Sequence, residues 1–158
     1  MRILITGGAG YIGSTVASAC EEAGHEVVIL DDLSAGRHEF VKDRTFYEGD
    51  IADQPLLDRV FTEQGIDAVV HCAAKIIVPE SVADPLGYYE NNVGKTVKLL
   101  QGMQRNDVNR ILFSSSASIY ATDDEFKVTE DSALDPGSPY ATTKFMVCLL
   151  YTSDAADE

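Results

Sequence analysis

The chain opens with MRILITGGAGYIG, residues 1–13, in which a short apolar stretch runs directly into Gly7, Gly10 and Gly13. This spacing is typical of the strand-to-helix turn at a dinucleotide site. The first glycine turns the chain, the second lets the backbone approach a pyrophosphate, and the third lets the helix pack on the strand. The free N–H groups of a helix that we expect to begin near Ser14 would then bind the phosphates.

The residues after this turn agree with that interpretation. A helical stretch ends at Gly24, and a second strand predicted at Glu26–Leu30 delivers Asp31 and Asp32, eighteen and nineteen residues after the third glycine. A carboxylate at this place accepts hydrogen bonds from the adenosine ribose hydroxyls. It would also repel the 2′-phosphate of NADP, so we expect NAD, although Arg37 nearby leaves some room for NADP.

Composition excludes several classes of partner. The 158 residues carry a net charge of −14, from 12 basic and 26 acidic side chains, which argues against nucleic acid or an anionic membrane as partner. We find no apolar run of membrane-spanning length and no secretory signal pattern. The cysteines, Cys20, Cys72 and Cys148, lack metal-ligand spacing, so we expect no metal, a reducing cytoplasm, and Cys20 and Cys72 as small core residues.

Strand and helix patterns alternate along the chain. The predicted elements are a strand at Thr45–Glu48, a helix capped by Asp53 and closed by Gly65, a strand at Ala68–Cys72, a helix from Asp84-Pro85, a strand at Arg110–Ser114 and a helix from Ser138. An apolar stripe on the helix from Asp84 is predicted from Leu86, Tyr89, Val93, Val97, Leu100 and Met103. Repeated βα units predict an α/β fold, a Rossmann-type doubly wound parallel sheet with helices on both faces and ligands at the carboxyl ends of the strands.

A second group of polar residues follows the last predicted strand. Ser114, Ser115 and Ser116 end that strand, and Tyr140 and Lys144 lie four apart, on one face of the next helix. Tyrosine is a poor base at neutral pH, and a neighbouring ammonium would favour its phenolate. Each feature alone is typical of a polar loop or an ordinary helix face. After a dinucleotide turn, together they predict a proton-transfer site beside a hydride acceptor.

These motifs resemble the extended short-chain dehydrogenase/reductase superfamily. Four stretches are similar to the UDP-glucose (UDP-galactose) 4-epimerase family in particular: HCAAKIIVPES at 71–81, DPLGYYENNV at 84–93, FSSSASIY at 113–120 and SPYATTKFMV at 138–147. The resemblance implies an isomerase that oxidises the sugar of a UDP-sugar at C4 with bound NAD. The 4-keto sugar turns over, and hydride returns to its opposite face.

The resemblance also implies roles for individual residues. Ser116, Tyr140 and Lys144 would form the catalytic set, with Tyr140 as the base. The cofactor contacts would be Gly7, Gly10, Tyr11, Ile12, Gly13, Asp31, Asp32, Leu33, Ser34, Gly36, Asp50, Ile51, Cys72, Ala73, Ala74, Lys75, Asn91, Ser114, Tyr140 and Lys144, with Asp50 and Ile51 framing the adenine. Some family members place a lysine where this chain has Ile76, so Lys75 is either a cofactor contact or a solvated loop charge.

Two other functions are weighed against the epimerase. A sugar-nucleotide 4,6-dehydratase of the same superfamily has an Asp-Glu pair after the catalytic hydroxyl residue, where this chain has Ala117-Ser118. A non-catalytic NAD-binding module has no use for the serine, the tyrosine and the lysine together. Another NAD-dependent nucleotide-sugar epimerase stays open, since the sugar preference is set by residues beyond 147.

The resemblance ends at Val147. We therefore expect residues 1–147 to be an incomplete NAD-binding Rossmann domain, truncated before the sugar-nucleotide domain. Residues 148–158 would be a tail foreign to the family that frays beyond about Ser153. The fragment would be inactive, and its parent would be a homodimer that pairs the Pro85–Met103 helix with the helix of Tyr140.

Overall fold

The computed structural model describes residues 1–122 and 127–152. They form two compact units, one of Met1–Ala74 with Lys95–Ser114 and one of Lys75–Gly94 with the residues described from Ser115 onward. Among these residues we find no helix that is both long and apolar enough to cross a membrane. The predicted fraying beyond about Ser153 falls outside the described residues.

The first unit is built on a five-stranded sheet. Its strands are β1 (Arg2–Thr6), β2 (Glu26–Asp31), β3 (Thr45–Glu48), β4 (Ala68–His71) and β5 (Ile111–Phe113). The order is β3-β2-β1-β4-β5, and every neighbouring pair is parallel. This is the order of a doubly wound sheet, whose ligand crevice lies at the carboxyl ends of β1 and β4, where the strand order reverses. The predicted strands are confirmed, β3 with the same bounds and the others within one residue at each end.

The helices are α1 (Tyr11–Glu22), α2 (Gln54–Gln64), α3 (Val78–Ala83), α4 (Pro85–Tyr89), α5 (Lys95–Arg105) and α6 (Pro139–Thr152). In the first unit, alternate strand residues face opposite layers of helices. Leu4 belongs to the cluster that contains Leu57 of α2 and Leu99 of α5, whereas its neighbour Ile5 belongs to the cluster that contains Ala17 of α1. Helices therefore cover both faces of the sheet, which confirms the predicted fold class.

Helix α2 begins and ends where the sequence predicted. The Asp53 carboxylate accepts a hydrogen bond from Leu56 N at 3.1 Å, and such a cap contributes about 1 kcal/mol. At the other end Gly65 has φ of +59°, and its N–H donates to the Phe61 carbonyl. Both ends are set by local chemistry, which is why the pattern alone located them.

The helical run from Pro85 to Arg105 differs from the prediction. A π-helical turn at Glu90–Gly94 separates α4 from α5. The residues buried along the run include both polar and apolar side chains: Tyr88, Asn92, Thr96, Leu99, Gly102 and Met103. Of the predicted apolar stripe, Met103 is buried and Leu100 packs partly buried against the same core, whereas Leu86 is 79% exposed.

The reason is that the buried face of this run carries polar groups with internal partners. Tyr88 Oη accepts from Ile77 N and lies 2.8 Å from the Ile77 carbonyl, and Thr96 Oγ1 lies 2.8 Å from His71 Nε2. Buried polar groups are satisfied in this way. A pattern of apolar residues cannot identify such a face, and the extra residue of a π turn shifts the helical register as well.

In the second unit, α6 packs against α3, α4 and a 3₁₀ turn at Ala117–Ile119. The predicted helix after Ser138 is confirmed, and the Ser138 hydroxyl accepts from Ala141 N at 3.1 Å. Helix α3, which has six residues and a proline in its first turn, was not predicted.

Candidate functional site

The glycine turn leads into α1, which begins at Tyr11, three residues before the predicted start. Two of its glycines are required by the backbone itself. Gly7 has φ of +73°, and a Cβ there would lie 2.6 Å from Ala73 N; a Cβ on Gly13 would lie 2.2 Å from the Gly7 carbonyl oxygen. A Cβ on Gly10 would meet only that same oxygen, at 3.3 Å. A Cβ at Gly10 would therefore need only a small shift of the Gly7 carbonyl, and its absence leaves the backbone open to a ligand.

The first turn of α1 is suited to an anion. Gly10 caps the helix without a side-chain hydrogen bond, and the first turn contains no acidic residue. Tyr11 is 83% exposed and Ile12 is 55% exposed, although both are large apolar side chains. Unoccupied N–H groups and the positive end of the helix dipole favour a phosphate at this position. The turn therefore fits the pyrophosphate of a dinucleotide.

Asp31, at the end of β2, is held by two backbone groups. Its carboxylate accepts from Ala9 N at 3.0 Å and from Leu33 N at 2.8 Å, and the residue is 8% exposed. A Cβ on Gly36 would lie 2.8 Å from Asp31 Oδ1, so the glycine lets this loop approach the carboxylate. The arrangement fixes one carboxylate next to the glycine turn, where a ribose would lie.

Asp32 is exposed, and its carboxylate accepts from both the N–H and the hydroxyl of Ser34. Partial burial acts to raise the pKa of Asp32, but the Ser34 hydrogen bonds and the charge of Lys95 outweigh it, so this pKa lies below its usual value. Asp32 is therefore anionic at neutral pH. It adds negative charge where NADP would carry its 2′-phosphate.

The end of β3 contributes Asp50 and Ile51. Gly49 N donates to the Asp31 carbonyl at 3.0 Å, which ties this segment to the end of β2. Asp50 Oδ1 accepts from Ala52 N at 2.8 Å, and Asp50 Oδ2 pairs with Lys95 Nζ. We did not identify Lys95 from the sequence, because it lies 45 residues from Asp50 and belongs to no motif that we recognised.

The ends of β4 and β5 hold the remaining predicted contacts of the first unit. Cys72 N donates to the Thr6 carbonyl at 2.9 Å, and Ser114 N donates to the His71 carbonyl at 3.0 Å, so both extend the strand pairing. The imidazole of His71 is buried, with Nδ1 2.7 Å from Thr6 Oγ1. His71 was also missed, since a lone histidine in a strand gives no signal. In the first unit, the predicted NAD contacts therefore lie at the carboxyl ends of the strands of one sheet. They are the predicted residues between Gly7 and Ala74, together with Ser114.

The second unit contains the predicted catalytic pair. Tyr140 and Lys144 lie one turn apart on α6, and Tyr140 is partly buried. Lys144 is 3% exposed. Lysine is almost never buried to this extent without partners, because an ammonium loses its hydration. A buried lysine one turn from a tyrosine is thus more than an ordinary helix face.

Ser116 precedes the 3₁₀ turn at Ala117–Ile119 and caps it. Its Oγ accepts from Ser118 N at 3.2 Å and lies 2.8 Å from Ser118 Oγ. The residues after Ser116, Ala117, Ser118 and Ile119, form this short turn. It offers a hydroxyl but no carboxyl group.

Lys75 and the two asparagines of the π turn also lie in the second unit. Lys75 Nζ is 4.0 Å from carboxylate oxygens of both Glu80 and Asp84, and its side chain is 40% exposed. Its Nζ also lies 5.5 Å from the centre of the Tyr88 ring, and a cofactor contact by Lys75 stays a prediction. Asn91 is partly buried and donates to Asn92 Oδ1 at 3.1 Å.

Asn92, which we did not predict, connects two parts of the second unit. Its Oδ1 accepts from Lys75 N at 2.8 Å, and its Nδ2 donates to the Lys75 carbonyl at 3.0 Å and to Thr143 Oγ1 at 3.1 Å. It thereby fixes the loop of Lys75 to the helix that carries Tyr140 and Lys144.

Comparison with known proteins shows the family to which this chain belongs. The sequence profile of the NAD dependent epimerase/dehydratase family matches residues 3–157. The UDP-glucose 4-epimerase of Halalkalibacterium halodurans is 46% identical over 147 residues, which are 93% of this chain and 44% of that protein. The UDP-glucose 4-epimerase of Bacillus subtilis is 44% identical over 155 residues, covering 93% of this chain and 46% of that protein.

Solved structures give the same result. The UDP-glucose-4-epimerase of Stenotrophomonas maltophila, with bound NAD and formylated UDP-arabinopyranose, superposes with a TM-score of 0.93 and 37% identity, over 99% of this chain and 49% of that one. The Brucella ovis UDP-glucose 4-epimerase in complex with NAD gives a TM-score of 0.91 and 36% identity, over 99% and 48%. The chain spans about half the length of the relatives it matches.

Proposed function

Since this chain belongs to the NAD dependent epimerase/dehydratase family, we propose that the protein binds NAD and interconverts UDP-glucose and UDP-galactose. The observation that carries the proposal is the buried Lys144 one turn after Tyr140 on α6. A glycine turn alone would support only a dinucleotide-binding module. A buried ammonium next to a tyrosine adds a group that can hold and release a proton.

The residues of the first unit would hold the cofactor. The N–H groups at the start of α1 would bind the pyrophosphate, Asp31 the adenosine ribose, and Asp50 with Ile51 the adenine. NAD, when bound, accepts a hydride from C4 of the sugar and returns it, so it is a retained cofactor. The charge of Asp31 and Asp32 favours NAD over NADP.

The residues of the second unit would move the proton. Tyr140 takes the proton of the sugar 4-hydroxyl and later gives it back. The Lys144 ammonium stabilises the phenolate form of that tyrosine and binds the nicotinamide ribose. Ser116 holds the 4-oxygen through its hydroxyl. Because the 4-keto sugar can turn over before it is reduced, the same residues catalyse the conversion of UDP-glucose to UDP-galactose and the reverse.

The two residues that follow Ser116 argue against a dehydratase. Elimination of water needs an additional acid and base, and Ala117 and Ser118 supply neither carboxylate. We also propose a homodimer in the cytoplasm. The exposed apolar side chains that support it, within the residues that resemble the family, are Leu86 of α4 and Met146 of α6.

Activity can be tested in a chimera. Residues 1–147 would be joined to the remainder of the Halalkalibacterium halodurans epimerase and compared with a polypeptide of residues 1–158. We expect the chimera to convert UDP-galactose to UDP-glucose without net reduction of NAD, and the 158-residue polypeptide to show no turnover. Formation of a 4-keto-6-deoxy sugar would contradict the proposal in favour of a dehydratase. Turnover by residues 1–158 would show that the matching half of the relatives suffices.

A further inference from the structure

A polar pair of side chains ends the contact between β1 and β4. The three residue pairs before it in the parallel register are aliphatic, whereas the last pair is Thr6 with His71. Both residues are buried, and Thr6 Oγ1 lies 2.7 Å from His71 Nδ1. The pair lies at the carboxyl ends of the two strands, where the ligand crevice of a doubly wound sheet opens.

The imidazole of His71 is held from two further elements of the first unit. Its other ring nitrogen, Nε2, lies 2.8 Å from Oγ1 of Thr96, the second residue of α5, which is also buried. The ring of Phe113 on β5 lies against it, with the ring centroids 5.6 Å apart. A buried polar network whose members have partners is rigid and favours one arrangement of the elements that it joins.

Stability alone does not explain a polar pair at this place. Replacing both partners of a buried hydrogen bond by apolar groups of the same shape is often nearly neutral for stability. The aliphatic pairs of the same two strands show that β1 and β4 pack without polar side chains. The polar pair occupies only the position next to the crevice, which indicates a use in the crevice.

Thr6 connects this network to the glycine turn. It precedes Gly7, and its carbonyl accepts from Cys72 N at 2.9 Å. A Cβ on Gly7 would lie 2.6 Å from Ala73 N, so the turn is in direct contact with the segment that follows β4. Because hydrogen bonds weaken steeply with distance and angle, a small displacement of the turn would misalign its N–H groups with a pyrophosphate.

We propose that His71 is a positioning residue for cofactor binding, and that its contact with Thr6 carries this role. The inference rests on the proposed NAD function and adds to it a buried side chain that acts through the glycine turn. The contact of the same imidazole with Thr96 anchors the start of α5 and contributes to stability only.

Two substitutions of His71 separate its two contacts. An asparagine amide occupies the position of Nδ1, and a glutamine amide that of Nε2, and each offers both a donor and an acceptor. His71→Asn therefore keeps a partner for Thr6, and His71→Gln keeps one for Thr96. In titration calorimetry of the 158-residue chain with NAD, we expect His71→Gln to lose about tenfold in affinity and His71→Asn less than about threefold. Thermal melts should show a lower melting temperature for both, since each loses one buried hydrogen bond.

A second pair of variants removes the hydroxyl groups instead. Thr6→Val and Thr96→Val each delete one hydroxyl with little change of shape. Thr6→Val should lose about tenfold in NAD affinity. Thr96→Val is the matched control, which should bind NAD as the unaltered chain does although it melts at a lower temperature. This pair decides the question if a His71 variant does not melt cooperatively.

The two proposals fail in different ways. Equal NAD affinity of the two variants in either pair, both being folded, would overturn the positioning role of His71. The NAD proposal would stay intact in that case, because the unaltered chain still binds. An unaltered chain that does not bind NAD would overturn both.

Discussion

Lys144 and Asp31 show how single residues in this chain depart from ordinary surface chemistry. Among the lysines and arginines that the structure describes, only Lys144 is buried. Taking an ammonium out of water costs several kcal/mol unless its partners compensate. Asp31 is likewise buried, and its carboxylate accepts two backbone N–H groups. Groups held in this way are more typical of functional sites than of surfaces.

The carboxylates at the end of β2 predict the choice of cofactor. We expect the 158-residue chain to bind NAD at least about tenfold more tightly than NADP, because Asp31 and Asp32 would repel a 2′-phosphate. Replacing both with asparagine should narrow the difference, and Asp43→Asn, at an exposed residue elsewhere, should not. Calorimetric titration measures all three proteins. Equal affinity of the unaltered chain for the two cofactors would contradict the role of Asp31.

At the scale of elements, the glycine turn combines two separate requirements. Gly7 and Gly13 allow the chain to turn and α1 to approach β1, whereas Gly10 leaves space in front of the helix. The same motif therefore contains residues that the fold needs and one that the ligand needs. The two kinds of glycine are distinguished by the contacts that a Cβ would make at each position.

That distinction predicts different results for two alanine variants. Gly13→Ala should lower the melting temperature by several degrees or prevent folding, since its Cβ would overlap the Gly7 carbonyl. Gly10→Ala should lower the melting temperature much less than Gly13→Ala, because the Gly7 carbonyl need shift only slightly, and it should lose most of its NAD affinity. Thermal melts with and without NAD measure both effects. A Gly10→Ala chain that is stabilised by NAD as well as the unaltered chain would show that no phosphate approaches this turn.

The elements also show what could be predicted from the sequence. The strands, α2 and α6 were predicted because apolar periodicity, helix caps and glycines are local signals. Asp53 and Gly65, which bound α2, are examples. The buried face of the run from Pro85 to Arg105 was not, since Tyr88 and Asn92 are buried through hydrogen bonds rather than apolarity. The Asp50–Lys95 pair joins residues that are far apart in the sequence, so no rule on the spacing of residues could predict it.

At the scale of the whole molecule, the two units carry different parts of the proposed reaction. The first unit carries the predicted dinucleotide contacts on a parallel sheet, and the second carries Ser116, Tyr140 and Lys144. About half the length of the relatives lies outside the region that this chain matches. Cofactor binding and catalysis are therefore measured separately, the first on 158 residues and the second in the chimera.

The most direct measurement is the turnover of the chimera with Tyr140→Phe, compared with the unaltered chimera. We expect a loss of about two to four orders of magnitude in conversion of UDP-galactose, because the variant has no phenolic group to take the proton. NAD should remain bound, and the matched control Tyr47→Phe, which removes a hydroxyl that contacts Glu63 and Gln64 of α2, should retain full turnover. Near-normal conversion by the Tyr140→Phe chimera would contradict the account and leave Tyr140 as an ordinary residue of α6.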